Sequence, residues 1–162
     1  MLSTASASLG VGLDSVHYDG LLMSWHEAFS DRYGAWAADM TADIPFHVGL
    51  ARETDRPIVQ LAVGTGRVAI PVALATGRPV IGLDASPGML RQARAHAAEA
   101  GVALTLIEGD MRVLAMGERA ALVYCPFRAL LHLRTWADRR RVCERVAASL
   151  RPGGRFAATK NE

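Results

Sequence analysis

The chain has 162 residues, of which 51% are hydrophobic and 21% charged, and its formal net charge is +2. This length and composition are typical of one globular domain with a hydrophobic core. The longest apolar runs fall well short of the roughly 20 residues that a membrane-spanning helix needs. The small net charge argues against a nucleic-acid partner.

The N-terminal third predicts helices. Residues 1–13 are rich in serine, alanine and glycine, and they predict a disordered lead-in without the basic and apolar segments of a signal peptide. Residues 14–56 predict a helical cap. Apolar residues at helical spacing indicate one helix over about 15–30. A second helix is predicted to begin at Asp43 as the N-cap, with Pro45 in its first turn.

From residue 57 the pattern changes to alternating strands and helices. Five strands are predicted, over Ile58–Val63, Pro79–Leu83, Val102–Ile107, Ala120–Tyr124 and a strand that begins with Arg155–Thr159. Three helices are predicted between them: Arg67–Thr76, closed by Gly77; one from the N-cap Ser86 to Gly101; and one from the N-cap Thr135, with Val142, Val146 and Leu150 on its buried side. This alternation predicts a Rossmann-like, doubly wound α/β fold, with a mostly parallel sheet and helices on both faces.

A glycine turn follows the first predicted strand, in the stretch VQLAVGTGR. Gly64 and Gly66 would let the backbone approach a ligand closely, and the helix that follows offers N–H donors at its start. Ligands of such sheets bind at the carboxyl ends of the strands. With Ala69 as the third position and Asp84 about 20 residues onward, the turn is compatible with the dinucleotide fingerprint of an NAD-dependent oxidoreductase.

Four segments carry a more extensive resemblance. LAVGTGR, GLDASPGML, EGDM and LRPGGRF follow one another at predicted strand ends and helix boundaries. In this order, over about residues 57–157, they resemble the class I S-adenosylmethionine-dependent methyltransferases that act on small molecules. The resemblance implies methyl transfer from S-adenosyl-L-methionine to a small-molecule acceptor. It also implies strands six and seven, which would follow the fifth strand and which this sequence lacks.

The resemblance implies roles for individual residues. Asp84 would accept hydrogen bonds from both ribose hydroxyls, and Asp110 would bind the exocyclic amine of adenine, with the backbone N–H of Met111 on a ring nitrogen. Cys125 would offer its backbone carbonyl to the amino group of the cofactor. The implied cofactor-binding set is Gln60, Ala62, Gly64, Thr65, Gly66, Asp84, Ala85, Met89, Asp110, Met111 and Cys125. No metal site is expected.

Two positions depart from the common family motif. Gln60 stands where an acidic residue is usual, so it places no charge opposite a cationic ligand, and we expect weaker cofactor binding. Ala62 stands where glycine is usual. Alanine is tolerated there if its φ is negative.

The catalytic residues are less clear from the sequence. His132 follows the fourth strand and is the best-placed candidate for a base, although its leucine neighbours also predict a satisfied core or helix histidine. His17, His26 and His47 lie in the N-terminal region, and none of them is favoured individually. Cys125 is interpreted as a small buried apolar residue rather than a nucleophile. Mixed arginine and acidic residues on the last helix do not establish an RNA-binding surface.

The remaining expectations concern assembly and location. An uncovered edge strand would favour pairing with another chain, so we expect a homodimer or a weakly stable domain. Cys125 and Cys143 form no disulfide framework, which favours the reducing cytoplasm. Besides the oxidoreductase, the alternative is a catalytically incomplete cofactor-binding module that dimerises.

Overall fold

A computed structural model describes residue 32, residues 35–37 and residues 39–159. Its elements in chain order are α1 (Ile44–Arg52), β1 (Ile58–Leu61), α2 (Ala69–Thr76), β2 (Val80–Asp84), α3 (Pro87–Ala100), β3 (Leu104–Glu108), a short 3-10 helix (Met111–Val113), β4 (Ala120–Cys125), a second 3-10 helix (Ala129–His132), α4 (Trp136–Ser149) and β5 (Leu150–Ala158). The predicted lead-in over 1–13 and helix over 15–30 lie outside the described residues.

The five strands form one sheet in the order β3-β2-β1-β4-β5. Every neighbouring pair is parallel, so all carboxyl ends lie at the same edge. The strand order reverses between β1 and β4, and a ligand crevice is expected at such a reversal. The predicted parallel Rossmann-like sheet is confirmed. Residues 39–159 contain no sixth or seventh strand.

Alternate residues of the central strands enter two separate cores. Ile58 lies on the face covered by α1, α2 and α3, whereas Val59 lies on the face covered by α4. Continuous apolar runs in these strands follow from this, because a parallel strand with both faces covered buries every side chain. None of the described helices is long and apolar enough to cross a membrane.

Helix boundaries mostly follow the predicted caps. The Ser86 hydroxyl accepts a hydrogen bond from the Met89 N–H at 3.2 Å, and the Thr135 hydroxyl accepts one from the Asp138 N–H at 3.0 Å. Gly77 and Gly101 end their helices in the left-handed conformation, with φ of +64° and +66°. These are the positions where glycine costs least.

Asp43 is the N-cap of α1, as predicted, although its side chain makes no capping bond. Two predictions at the end of the last helix were wrong. Leu150 is not part of the last helix; it is the first residue of β5, which begins five residues before the predicted Arg155. The strand runs through Gly154, where a Cβ would lie 2.9 Å from the Ala120 carbonyl oxygen, so only glycine lets it pass this close to β4.

Ala62 does not have the negative φ under which alanine was expected to be tolerated. Its φ is +51°, in the left-handed region, where the Cβ of an L-residue crowds the backbone. The strain belongs to the turn between β1 and α2, in which Gly64 and Gly66 also have positive φ values of +56° and +87°. Ala62 therefore occupies a position whose backbone favours glycine.

Ala62→Gly is expected to raise the free energy of unfolding by about 0.5–1 kcal/mol, because glycine relieves this strain. Denaturant unfolding monitored by circular dichroism measures the change. The matched control is Ala95→Gly at an exposed position within α3, which is expected to lower stability by about 1 kcal/mol. Equal losses in the two variants would contradict the strain at residue 62.

Candidate functional site

The carboxylate of Asp84 joins two segments at the carboxyl end of β2. Its Oδ2 accepts a hydrogen bond from the Gly64 N–H at 2.8 Å, and its Oδ1 accepts one from the Ser86 N–H at 2.9 Å. The first bond holds the glycine turn, and the second holds the start of α3. One side chain therefore sets the distance between two loops at the carboxyl edge of the sheet.

The turn also packs directly on β2. The Val63 N–H donates to the Leu83 carbonyl at 2.9 Å, and a Cβ on Gly82 would lie 2.7 Å from Val63 Cγ2. A Cβ on Gly66 would lie 2.9 Å from Ile70 Cδ1. Gly82 is therefore required by packing within the protein, whereas glycine is favoured at position 66 by its φ of +87°, whether or not a ligand is bound.

The next predicted site residue, Asp110, lies beside Asp84. The Gly109 N–H donates to the Asp84 backbone carbonyl at 2.9 Å. The Asp110 side chain is 5% exposed and accepts hydrogen bonds from the Arg112 N–H and Nε, both at 2.8 Å. Arg112 also pairs with Asp138 of α4 at 3.1 Å. Asp110 is therefore held in place by an ion pair that links β3 to α4.

The other predicted site residues surround this edge. Met89 is 5% exposed, and Thr65 is 4% exposed. Cys125 is 1% exposed, and burial raises the pKa of its thiol to about 12, so it stays protonated and is a poor nucleophile. The Cys125 carbonyl accepts the Thr159 N–H at 3.2 Å, which uses one of its two lone pairs in pairing with β5. Ala85 and Met111 are half-buried.

His132 is exposed, so the core alternative was wrong, whereas its place in a short helix agrees with the helix alternative. It ends the 3-10 helix Ala129–His132, in which Leu130 packs against the core while Leu131 is 53% exposed. The short helix turns only part of the leucine-rich segment inward. The leucine neighbours therefore did not determine the position of the histidine.

The sequence reasoning missed an ion pair above the glycine turn. Arg67 donates to both oxygens of Asp43, at 2.6 and 2.8 Å, in a bidentate arrangement. The same guanidinium donates to the Met40 carbonyl and lies 5.8 Å from the centre of the Phe127 ring. Burial alone would raise the pKa of Asp43, but the hydrogen bonds and charge of Arg67 hold it below its usual value. An arginine directly after the GxG turn was the available signal.

Two further polar side chains, those of Gln60 and His47, are buried. Gln60 is 2% exposed, and within the described residues its Oε1 accepts no hydrogen bond. His47 is fully buried, and its Nε2 lies 3.4 Å from the Thr159 hydroxyl. Burial lowers the pKa of His47; the Asp43 carboxylate raises it and Arg67 lowers it, and the net shift is downward. His47 is therefore neutral at physiological pH. Within the described residues, no group of three or more side chains could hold a metal ion.

Comparisons with known proteins identify the family. The sequence profile of a family described as "Methyltransferase domain" matches residues 58–154, more than half of the chain. The chain therefore belongs to this methyltransferase domain family, and its fold is that of the class I enzymes. This favours the methyltransferase interpretation of the glycine turn over the dinucleotide one. A search of curated proteins found no match.

Solved structures with similar folds include three methyltransferases. The CcbJ methyltransferase from Streptomyces caelestis has a TM-score of 0.75 and 28% identity, covering 87% of this chain and 58% of that one. The glycopeptide N-methyltransferase MtfA, complexed with S-adenosyl-L-methionine, has a TM-score of 0.64 and 30% identity, covering 72% of this chain and 52% of that one. CalS10, an amino pentose methyltransferase from Micromonospora echinaspora, has a TM-score of 0.63 and 26% identity, covering 93% of this chain and 60% of that one. The chain thus spans between half and two thirds of their length.

Buried His47 is expected to make stability fall as the pH drops below 6.5, its ordinary pKa. In that range the unfolded chain binds a proton that the folded chain does not, so protonation favours unfolding. Asp43 does not contribute in that range, because its pKa is lowered and its protonation changes the stability only below pH 3.8. Denaturant unfolding across this range should show a shallower pH slope for His47→Gln than for the wild type. An unchanged slope in His47→Gln would contradict the assignment.

Proposed function

We propose that this chain forms the cofactor-binding part of an S-adenosyl-L-methionine-dependent methyltransferase that acts on a small molecule. The observation that carries the proposal is the Asp84 carboxylate at the end of β2, held between the glycine turn and α3. The family match and the similar structures, two of which were solved with S-adenosyl-L-methionine, support it.

The residues present are suited to this cofactor. A carboxylate only accepts hydrogen bonds, so Asp84 is suited to the ribose hydroxyls, which donate them. The buried Oε1 of Gln60 is an acceptor without a protein partner in the described chain, at the end of β1. It would accept a bond from the ammonium of the cofactor. Asp110 would bind the adenine amine while keeping its ion pair with Arg112.

The remaining implied positions complete the proposed pocket. Met89 and Ala85 would lie along the nucleoside, and the Met111 N–H would bind the adenine ring. The backbone of Ala62, Thr65 and Gly66 would follow the methionine moiety, and the second lone pair of the Cys125 carbonyl would accept from its amino group. We propose this set together, because these residues all lie in or after β1, β2, β3 and β4, at one edge of the sheet.

The cofactor would supply a methyl group already activated on a sulfonium. The protein's part is then to align the acceptor with the S–CH₃ bond and to exclude water, which can account for up to about 7–11 kcal/mol of the barrier. A general base is needed only for a weakly acidic hydroxyl or a protonated amine. His132 is exposed and lies seven residues after the end of β4, and it is the candidate for that role. MtfA and CalS10 are named for glycopeptide and amino pentose acceptors, which supports a small-molecule acceptor here.

Asp84→Asn is expected to weaken binding of S-adenosylhomocysteine by at least about tenfold, because hydrogen bonds to a charged acceptor are worth about 1.5–3 kcal/mol each. Isothermal titration calorimetry measures the affinity, and circular dichroism verifies the fold. Asp55→Asn at an exposed site is the matched control and should bind like the wild type. Equal affinity in Asp84→Asn and the wild type would refute the role of Asp84.

The same titration separates the alternatives. Binding of NAD(H) without binding of S-adenosylhomocysteine would reverse the choice in favour of the oxidoreductase. Cofactor binding without methyl transfer to any acceptor in a broad screen would instead favour the catalytically incomplete module.

We further propose that the chain works in the cytoplasm and forms a homodimer through the outer edge of β5. Cys125 and Cys143 are both free, and Cys143 is exposed, which suits a reducing compartment. Within residues 39–159 no strand pairs with the outer edge of β5. An open edge of this kind presents backbone donors and acceptors to another chain.

Light scattering of the purified chain is expected to give twice the mass of one protomer. The Thr159 N–H donates to β4, so the neighbouring Ala158 N–H points to the open edge. Ala158→Pro removes that donor and should yield a monomer with an unchanged fold, because proline is tolerated on edge strands. A monomeric wild type at high concentration would refute edge pairing.

A further inference from the structure

Three buried polar atoms lack a hydrogen-bond partner within the described part of the chain: His47 Nδ1, Gln60 Oε1 and the Tyr124 hydroxyl. Their residues are 0%, 2% and 0% exposed. Leaving a buried polar atom unpaired is unfavourable, and native proteins rarely do so without a reason. Three such atoms in one place call for a common explanation.

The three side chains are neighbours beneath α1. Gln60 and Tyr124 are register partners on β1 and β4, so their side chains project side by side from the same face of the sheet. The ring of His47, from α1, lies 5.0 Å from the Tyr124 ring at an angle of 31°. The core around Tyr124 also contains Ala51 of α1. The three residues thus form one polar enclave within an apolar layer.

The donors and acceptors in this enclave match one small ligand. His47 Nε2 faces the Thr159 hydroxyl at 3.4 Å, and that oxygen already accepts the Phe127 N–H at 3.0 Å. When Nε2 carries the ring proton, Nδ1 and Gln60 Oε1 are two acceptors and the Tyr124 hydroxyl is one donor. A water molecule has two donors and accepts readily, so a single water satisfies all three atoms.

We propose that His47, Gln60 and Tyr124 enclose one buried water, which fixes the carboxamide of Gln60 at the end of β1. The other histidine tautomer is equally compatible, because the water then accepts from Nδ1 and Tyr124 and still donates to Gln60. The consequence for the cofactor rests on the proposed function. It makes His47 and Tyr124 positioning residues for the Gln60 oxygen that would accept the cofactor's ammonium.

Tyr124→Phe tests the proposal by the sign of its effect on Tm. If the hydroxyl bonds to a water, its removal should lower Tm by about 2–4 °C. If the hydroxyl is merely buried without a partner, its removal should leave Tm unchanged or raise it, which would overturn the proposal. Ser149→Ala is the reference for the size of the change in Tm, because it deletes a buried hydroxyl with a known partner, the Arg145 carbonyl at 2.8 Å. Both variants are measured at pH 8, where His47 is neutral.

A crystal structure of the wild-type chain gives the direct observation. A water peak within 3.2 Å of all three atoms is expected. Direct bonds among the three side chains, with no water between them, would overturn the proposal even if Tm falls.

Calorimetry with S-adenosylhomocysteine tests the positioning role. Tyr124→Phe should bind several-fold more weakly than the wild type, whereas Ser149→Ala should bind equally. Equal binding by Tyr124→Phe would overturn the positioning role and leave the water to be decided by Tm and by the crystal structure. Failure of the wild type to bind would refute the proposed function, and the two structural readouts would still decide the water.

Discussion

The Asp84 carboxylate is the constraint on which the site depends. It ends β2 and accepts N–H bonds from Gly64 and Ser86, so it fixes the glycine turn and the start of α3 relative to one another. Both backbone segments turn their donors toward the same charge. A side chain that organises the protein around itself in this way is already held in position before a ligand meets it, so little ordering remains to be done on binding. The parallel sheet supplies the frame, because it brings the ends of β1 and β2 to the same edge.

Much of the fold follows from local signals in the sequence. The central strands β1 and β4 are buried at every position, because both faces of the sheet are covered there. Ser86 and Thr135 mark helix starts by the chemistry of their hydroxyls. Asp84 is predictable for the same reason, since it stands directly after a strand and before a capped helix. These features depend on neighbours within a few residues.

The unpredicted features depend on residues far apart in the chain. The bond between Arg67 and Asp43 spans 24 positions, and the enclave of His47, Gln60 and Tyr124 joins one helix to two strands. Hydrophobic periodicity reports burial but not the partner of a buried polar group. The left-handed φ of Ala62 is also a property of the closed turn rather than of alanine, whose own preference points the other way. His132 shows the opposite error, because its apolar neighbours suggested burial that a single short helical turn does not provide.

The contact between Gly82 and Val63 has a consequence for how this turn can change over evolution. With 2.7 Å between the position of a Cβ and Val63 Cγ2, the strand and the turn leave no clearance for even one methyl group. Enlarging residue 82 would push the glycine turn away from β2 and carry Gly64 off the carboxylate that holds it. A descendant could therefore accept a larger residue at position 82 only by rebuilding the strand and the turn together.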